Sequence, residues 1–351
     1  PKLKTDLIKI IMNTIENINI EIFLMKYIRN ILNPKMHDLN GEIIHLKKIL
    51  HVVKPLKVFS QHSLGMGHAL GEICNDLNIP ALLISHGSHV PNKDLVARLE
   101  WTIHSQTIFS AFYPFVAIQT PWADKFYNNQ KEVKSRKILT GPLLFSQKYK
   151  NRKNKDNFKS KLFNKYSEKR IILHAGTPKS WNSLRPWVYE TFDEYVNNIN
   201  DAIMAIENVP ELFLAIRFRP QKEISIEDLR ASIIQSKCYE IFADGEFEDY
   251  LIASDYLLSY SSTAIEEALQ YNVPVIQYDS DGKYEHIPAQ RLSDVFKKNV
   301  SPIYFAGSRQ ELILALKWLS KNHNDNINID WSEHSYKDFN KIDWLSQMEI
   351  R

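Results

Sequence analysis

The chain has 351 residues, of which 44% are hydrophobic and 24% charged, and a net charge of +3 at pH 7. Its length exceeds that of most single hydrophobic cores, so two domains are expected, and its charge is too small to indicate nucleic acid as a partner. The two cysteines, Cys74 and Cys238, are far apart and have no metal-ligand neighbours, which excludes a disulfide framework and favours a reducing compartment.

No stretch of the chain approaches the roughly 18 apolar residues of a membrane-spanning helix, and the chain does not open with the pattern of a signal peptide. We therefore predict a cytoplasmic protein that does not cross a membrane. The chain begins at Pro1 rather than at a methionine, which leaves open that it is a piece of a longer protein.

The first part of the chain opens with apolar residues at helical spacing over 5–32 and 42–53 and then alternates between strand and helix patterns. Strands are predicted at 56–60, 81–87, 115–120 and 137–142. Helices are predicted at 67–80 and 121–129. Strands that alternate with helices in this way favour a parallel sheet with right-handed crossovers.

Residues 148–170 interrupt this alternation with ten lysines and arginines against two acidic residues, Asp156 and Glu168. The segment has no regular apolar spacing. It is therefore either a solvated linker or exposed helix, or a basic patch that faces anionic lipid or a charged acceptor. Both interpretations place a domain boundary here.

A second alternating series follows. Its strands are predicted at 170–176, 212–220 and 238–243, with two more on either side of a helix within 253–278. Its other helices are predicted at 186–207, 226–236, 247–254 and 308–321. The sequence thus predicts an α/β protein of two doubly wound parallel-sheet domains. The predicted parts are an N-terminal domain at 1–147, a basic linker at 148–169, a C-terminal domain at 170–322, and a helical tail at 323–351 that packs back on the first domain.

The segment SYSSTAIEEALQYNVPVI is the first candidate site. The start of a helix just after a parallel strand offers backbone N–H groups and a positive dipole end to an anion, and Ser261, Ser262 or Thr263 can cap that helix. Glu266 fits a capping box with Thr263, whereas Glu267 has no such local role and is a candidate partner for ribose hydroxyls. An anion site beside a carboxylate indicates a nucleotide-sugar ligand.

Two further basic motifs follow strands of the second series. Gly176, Thr177 and Lys179 form a turn that can direct N–H groups, a hydroxyl and an ammonium at the carboxyl edge of the sheet. Arg217 and Arg219 are two residues apart in a strand and so share one face, where guanidinium groups suit phosphate. The alternatives are a polar loop with Lys179 in solvent and an exposed sheet end with surface ion pairs.

Histidines next to glycines end two strands of the first series. His86 is a candidate general base, because the pKa of histidine lies near neutral pH. His68 and His89, and more weakly His62, are candidates for the acceptor side. The alternative for each is a hydrogen-bonding scaffold residue.

Asp279 and Asp281 form a D-x-D pair that could hold a divalent cation, but their position in a glycine-containing turn favours a turn. We expect no metal, since lysine, arginine and helix N-termini already supply positive charge.

These motifs, in this order, resemble those of the GT-B glycosyltransferases, whose two doubly wound domains face each other across a cleft. Within that group the chain looks most similar to bacterial surface-polysaccharide enzymes: CDP-glycerol glycerophosphotransferases, polysialyltransferases and Kdo transferases. The resemblance covers roughly residues 55–322 and is stronger in the second half. Its motifs are ISHGS at 84–88, LTGP at 139–142, RFRP at 217–220 and SDYLLSYSSTAIEEALQYNVPVI at 254–276.

The resemblance implies roles for single residues. His86 would be the general base or an acceptor-site residue, Ser261 and Ser262 would hold the donor phosphate, and Glu267 would bind the ribose. The segment that contains Asp244, between Phe242 and Gly245, would contact the base through backbone atoms. The family often has His-Pro where this chain has Arg219-Pro220. Arginine binds phosphate but does not titrate near neutral pH, so the resemblance carries over no proton-donating role for this position.

The resemblance also implies the partners. The donor would be a CMP- or CDP-linked sugar or polyol phosphate, used as substrate with no further cofactor. The acceptor would be a glycan or lipid-linked glycan of a bacterial capsule or lipopolysaccharide, with peripheral contact to the anionic inner face of the plasma membrane. We predict a metal-independent glycosyltransferase with His86 and Arg219 as catalytic residues. Two alternatives remain open: a nucleotide-sugar 2-epimerase, and a non-catalytic module of a larger polysaccharide synthase.

Overall fold

The structure is a computed structural model. It describes residues 26–85, 89–90, 92, 94–101, 112–130, 133–144, 154–179, 185–220, 224–291, 300–322, 328–336 and 343–349. Within these residues it contains two parallel sheets, one of four strands and one of seven. The predicted fold class, two doubly wound parallel-sheet domains, is confirmed.

The first sheet has the strand order β1-β2-β3-β4, and all of its pairs are parallel. A short π-helical stretch, Ile28–Leu32, leads into the first α-helix. The described elements of this domain are α1 (Asn33–Val53), β1 (Val58–Ser60), α2 (Met66–Asp76), β2 (Ala81–Leu83), β3 (Phe115–Ile118), α3 (Pro121–Asn128) and β4 (Arg136–Leu139).

The second sheet has the order β10-β11-β9-β8-β5-β6-β7, again with only parallel pairs. Its strands are β5 (Arg170–Ala175), β6 (Leu212–Arg217), β7 (Tyr239–Phe242), β8 (Tyr256–Ser259), β9 (Val275–Tyr278), β10 (Gln290–Arg291) and β11 (Ile303–Ala306). The helices of this half are α4 (Lys155–Leu162), α5 (Phe192–Glu207), α6 (Ile226–Ser232), α7 (Phe247–Ala253), α8 (Thr263–Gln270) and α9 (Arg309–Asn322). The strands β8, β9 and β11 are buried at every position, as expected of a parallel sheet covered by helices on both faces.

Strand order in this sheet reverses at β5. The chain builds β6 and β7 on one side of β5 and then returns to build β8 and β9 on the other. The strands β5 and β8 are therefore neighbours, with His174 opposite Leu258 in the register. The carboxyl ends of two such strands form the crevice in which open α/β sheets bind their ligands.

The basic segment contains a helix that packs on the second domain. In α4 the Lys155 Nζ atom lies 2.7 Å from Oδ1 of Asp255, and the Lys159 Nζ atom lies 3.8 Å from Oδ2. Phe163 is buried against Tyr250, with ring centroids 5.9 Å apart. Part of the segment predicted as a solvated linker or exposed helix, or as a basic patch facing lipid or an acceptor, is thus a helix without fully buried residues. Charge and apolar contact hold it against the second domain.

The chain after α9 contacts the first domain. The Trp122 Nε1 atom donates to Nδ1 of His334 at 3.2 Å, and the Arg136 Nη2 atom donates to the carbonyl of Gln347 at 2.6 Å. Met348 is buried beside Leu82 of β2 and Phe115 of β3. In 328–336 and 343–349 the backbone forms turns and extended stretches, which differs from the helix predicted there.

The strand β11 was not predicted from the sequence. It comes after the YDSDG turn in the chain and pairs with β9, so this turn does not follow the last strand of the sheet. None of the helices among the described residues is long and apolar enough to cross a membrane.

Candidate functional site

The crevice between β5 and β8 brings two sequence motifs together. The Oγ atom of Ser259, the last residue of β8, donates to the carbonyl of Ala175, the last residue of β5, at 2.6 Å. The Gly176–Thr177 turn and the start of α8 therefore leave the sheet side by side. A Cβ atom added to Gly176 would lie 3.2 Å from a ring carbon of Tyr195, so close packing beneath the turn favours glycine at this position.

The helix α8 begins at Thr263, with Ser262 as its N-cap. The Ser262 backbone is extended, and its hydroxyl oxygen accepts a hydrogen bond from the N–H of Ala264 at 3.1 Å. The third helical position is thus Ile265, so the capping box predicted for Thr263 and Glu266 is wrong. Glu266, in the first turn of the helix, is instead buried. Ser261, Ser262 and Thr263 are all half-buried at the crevice end of the helix.

Three cationic side chains interact near the Gly176 turn. The pKa of Lys179 is lowered first by partial burial and then by the charges of Arg185 and Arg219. Lys179 and Arg185 both lie on the ring of Tyr189, with the Lys179 Nζ and Arg185 Cζ atoms 5.2 and 5.4 Å from its centroid. Arg219 is exposed just beyond β6. Clustered cations that repel one another are stabilised by an anion placed among them.

Arg217 has a different environment from the one predicted. Its guanidinium donates to the carbonyls of Phe242 and Gly245 at 3.0 and 2.7 Å, and to that of Phe218 at 3.3 Å. The group therefore fixes the turn after β7, where Asp244 is exposed. Its donors are directed at the protein's own carbonyls, which argues against the phosphate contact predicted for Arg217.

Glu267 is half-buried on the side of α8 that faces α7. Burial and, secondarily, the charge of Glu248 raise the pKa of Glu267 to about 7. Glu248 is buried and accepts a short hydrogen bond from the hydroxyl of Tyr271. Glu267, the residue predicted to contact the ribose, therefore lies near a second carboxyl group.

The histidines of the first domain are spread over different environments. His86, the predicted base, lies outside the described residues. His89 is buried, with its Nε2 atom 2.6 Å from Oγ of Ser85, which is a scaffold contact. His68 is half-exposed on α2, 3.6 Å from Glu72, and His62 is exposed.

Asp279 and Asp281, the D-x-D pair, lie in a turn, which is the interpretation that the sequence favoured over a cation site. The carboxylate of Asp279 is buried and accepts from the N–H groups of Asp281 and Tyr284 at 3.1 and 2.8 Å.

Sequence reasoning missed a polar group beneath the Gly176 turn. Glu190 is buried and accepts a hydrogen bond from the Nδ2 atom of Asn198 at 2.8 Å. No motif marks either residue. The only sequence signal is a glutamate and an asparagine on the buried side of an apolar helical pattern.

Contacts between the two domains close one side of the cleft. The Trp101 Nε1 atom donates to the hydroxyl of Tyr284 at 2.8 Å, and the Asn92 Nδ2 atom donates to the carbonyl of Glu285 at 2.9 Å. A cavity of about 220 Å³ lies beside these contacts, lined by Asn92, Asp94, Gly282, Lys283, Glu285, Pro288 and Arg291.

No protein-family model matches the chain, and no curated protein matches it significantly. Solved structures do. They include Staphylococcus aureus MnaA in a co-structure with UDP (15% identity, 81% of this chain and 70% of that chain, TM-score 0.52). A putative UDP-N-acetylglucosamine 2-epimerase from Listeria monocytogenes shares 12% identity (80% of this chain, 69% of that chain, TM-score 0.51). The UDP-GlcNAc 2-epimerase of Methanocaldococcus jannaschii, in complex with UDP-GlcNAc and UDP, shares 16% (82% of this chain, 75% of that chain, TM-score 0.51). At these identities the comparisons establish a shared fold of the GT-B kind.

Proposed function

We propose that this protein is an enzyme that acts on a nucleotide-activated sugar, whose phosphates bind in the crevice between β5 and β8. The observation that carries the proposal is the sheet order, which places the Gly176–Thr177 turn beside the hydroxyl-rich start of α8. Backbone N–H groups, hydroxyls and the cations Lys179 and Arg219 would then be available to one ligand. This combination suits a diphosphate.

The first candidate reaction is transfer of the sugar, or of a polyol phosphate, to a glycan acceptor. In sugar transfer the acceptor oxygen bonds to the anomeric carbon, and the bond from that carbon to the donor phosphate breaks. The acceptor proton would pass to His86, and the electron pair would leave on the nucleotide. Ser261, Ser262, Lys179 and Arg219 would stabilise that leaving charge, and each preorganised donor of this kind contributes roughly 10²–10³ in rate.

The binding of the nucleoside is proposed on separate grounds. Glu267 is the half-buried carboxylate of α8, whereas Glu266 is fully buried, so Glu267 would accept hydrogen bonds from ribose hydroxyls. The turn that holds Asp244 would contact the base through its backbone, and Arg217 would support that turn through its carbonyl contacts. A CMP- or CDP-linked donor, a surface-glycan acceptor and contact with an anionic membrane are proposed only from the motif resemblance.

The second candidate is a nucleotide-sugar 2-epimerase. It is favoured by the fold shared with the epimerases of Listeria monocytogenes and Methanocaldococcus jannaschii. The two reactions differ in whether an acceptor is consumed. Incubating the protein with UDP-GlcNAc and with CMP- and CDP-linked donors in the absence of acceptor separates them, because an epimerase converts the donor and a transferase at most hydrolyses it slowly.

Binding is tested first, by thermal shift and calorimetry with CMP, CDP, UDP and GDP. A nucleotide that binds the folded state raises the apparent melting temperature by mass action, and we expect one base to be preferred. If none of the four nucleotides shifts the melt or gives heat, the proposed site is wrong.

The site itself is tested by Ser262→Ala and Arg219→Ala. We expect each variant to lower donor turnover at least about tenfold, because each removes a donor to the leaving phosphate. Matched controls are Ser332→Ala and Arg230→Ala, which change exposed residues away from the crevice. Near-normal turnover in both site variants would show that the donor phosphate does not bind at this position.

A further inference from the structure

Glu190 contacts the Gly176 turn from below with both its backbone and its side chain. Its carbonyl accepts a hydrogen bond from the N–H of Lys179 at 2.9 Å. Its Oε2 atom lies 3.4 Å from the position that a Cβ atom would take on Gly176. Glu190 is 5% exposed, so this carboxyl group is part of the floor beneath the proposed phosphate position.

The carboxyl group is held in place from the other side by Asn198. The Nδ2 atom of Asn198 donates to Oε1 of Glu190 at 2.8 Å, and its Oδ1 atom accepts from the N–H of Ser280 at 3.1 Å. Asn198 therefore links the floor of the turn to the loop that follows β9.

The charges around Glu190 are mainly negative. Burial is the largest cause that raises the pKa of Glu190, and the hydrogen bond from Asn198 lowers it. Asp279, in the loop after β9, and Glu194, on α5, raise it further. Lys283 lowers that pKa, but its ammonium is in close contact with the Glu194 carboxylate. A group with two neighbouring carboxylates and one engaged cation is costly to ionise when buried.

Apart from Lys179 and the arginines beside it, the other titratable groups near this turn carry no charge at neutral pH. His174 on β5 is buried, which lowers its pKa to about 4, and burial raises the pKa values of Tyr195 on α5 and Tyr260 after β8. The balance of these causes, of which burial is the largest, raises the pKa of Glu190 to about 8. Lys179 is the cation above the floor, and its pKa is lowered.

We propose that Glu190 is a positioning residue of the donor site, held as an uncharged acid against Gly176 so that phosphate can bind above it. Ionised Glu190 would place a negative charge directly beneath that anion and would exclude it. The inference rests on the proposed function, since it assumes that phosphate binds at this turn.

As a consequence, nucleotide affinity should depend on whether the carboxyl group of Glu190 carries its proton. If only the protonated form binds, affinity falls about tenfold per pH unit above the pKa, and binding takes up a proton in that range. The nucleotide phosphate is already fully ionised there, because its second pKa is about 6. Loss of the Lys179 charge could produce a similar decline, so the experiment has to separate the two groups.

The test measures the affinity of CDP and UDP by calorimetry from about pH 6.5 to about pH 9.5, in buffers of different ionisation enthalpy so that proton uptake is counted. In the wild type we expect the decline above about pH 8 and an uptake approaching one proton. In Glu190→Gln, which keeps an acceptor for Asn198 and carries no charge, we expect neither. Tyr195→Phe packs against the same turn and should keep the wild-type profile.

Two results would overturn the inference while nucleotide binding stands. One is a Glu190→Gln profile that declines like the wild type. The other is a Lys179→Arg variant that loses the decline although Glu190 is intact. Infrared spectroscopy adds a readout without ligand: the band of a protonated carboxylic acid should be present at pH 7 in the wild type and weaker in Glu190→Gln. If the wild type binds neither CDP nor UDP, both the proposed function and the positioning role of Glu190 are wrong. The infrared band then reports only whether Glu190 is protonated.

Discussion

Glu248 and Glu267 place two carboxyl groups between α7 and α8, close to the crevice. The hydroxyl of Tyr271 hydrogen-bonds to Glu248, so Glu248 has an internal partner. Glu267 is the more accessible of the two, and burial together with Glu248 raises its pKa to about 7. A carboxyl group whose pKa is shifted by burial and by a neighbouring carboxylate is a candidate functional residue.

Glu267→Gln is expected to weaken nucleotide binding about tenfold, because a hydrogen bond to a charged acceptor contributes roughly 1.5–3 kcal/mol. In the wild type, affinity should rise as pH increases through about 7, since ribose hydroxyls bind the ionised form. Calorimetry with CDP and UDP from about pH 6 to about pH 8, roughly one unit on either side of this pKa, would show this rise. Glu240→Gln on the exposed side of β7 is the control, and an unchanged rise in Glu267→Gln would contradict the ribose contact.

At single positions, the sequence predicted residue types better than it predicted partners. The hydroxyl cap of α8 was expected at Ser261, Ser262 or Thr263 and is Ser262, so a capping box of Thr263 with Glu266 does not form. Arg217 was expected to bind phosphate, yet it donates to the carbonyls of Phe242 and Gly245. The partners of a helix cap or a guanidinium group are atoms that folding brings together. Residue spacing in the sequence therefore does not determine which partner each side chain contacts.

The helix α4 has a basic composition, and two of its lysines contact a carboxylate of the second domain. The Asp255 carboxylate, just before β8, contacts Lys155 and Lys159, and its Oδ2 atom also accepts from the N–H of Ile171 at 2.7 Å. Both lysine side chains are less than 15% exposed. One carboxylate thus joins α4, the start of β5 and the start of β8.

Asp255→Asn should lower the free energy of unfolding by about 3 kcal/mol, because removing one member of a buried ion pair leaves the other charge uncompensated. Urea unfolding followed by circular dichroism measures this change. Asp156→Asn, on the exposed side of the same helix, is the control and should change stability by less than about 1 kcal/mol. Equal stability of the two variants would mean that α4 does not depend on Asp255.

Across the whole molecule, the two domains are joined at the cleft and by the chain after α9. Hydrogen bonds from Trp101 and Asn92 reach the loop after β9. Residues 343–349 lie on the first sheet, where Trp344 packs edge-on against Phe59 with centroids 5.9 Å apart. The end of the chain therefore completes the apolar core of the domain that the chain built first.

Met348→Ala should destabilise the first domain by about 2–5 kcal/mol, because it opens a cavity beside Leu82 and Phe115. Hydrogen exchange localises the effect: amides of β2 and β3 should exchange faster, while those of β5 and β8 keep their protection. Met36→Ala, at a methionine that is 39% exposed on α1, is the control. Unchanged protection of β3 in Met348→Ala would mean that the end of the chain adds nothing to this core.

The strand and helix pattern, the parallel sheets and the fold class were all predictable, because period and composition are local properties of the chain. The strand β10 was not, since its two residues are too few to establish a period. The strand β11 has four residues, as many as β8 and β9, and was missed. The crevice was predictable only in part. Both of its motifs were located after strands, but their adjacency depends on the pairing of β5 with β8, which are more than 80 residues apart.

The order of apolar and polar residues along this chain was enough to establish two layered α/β domains and a hydroxyl-rich helix start with the composition of an anion site. Folding established the rest: which strands are neighbours, which arginine faces the crevice, and that Glu190 lies beneath Gly176. The reason is physical. Backbone periodicity is encoded over a few residues, whereas burial and charge at a site are sums over groups that are distant in sequence and meet only in the folded protein.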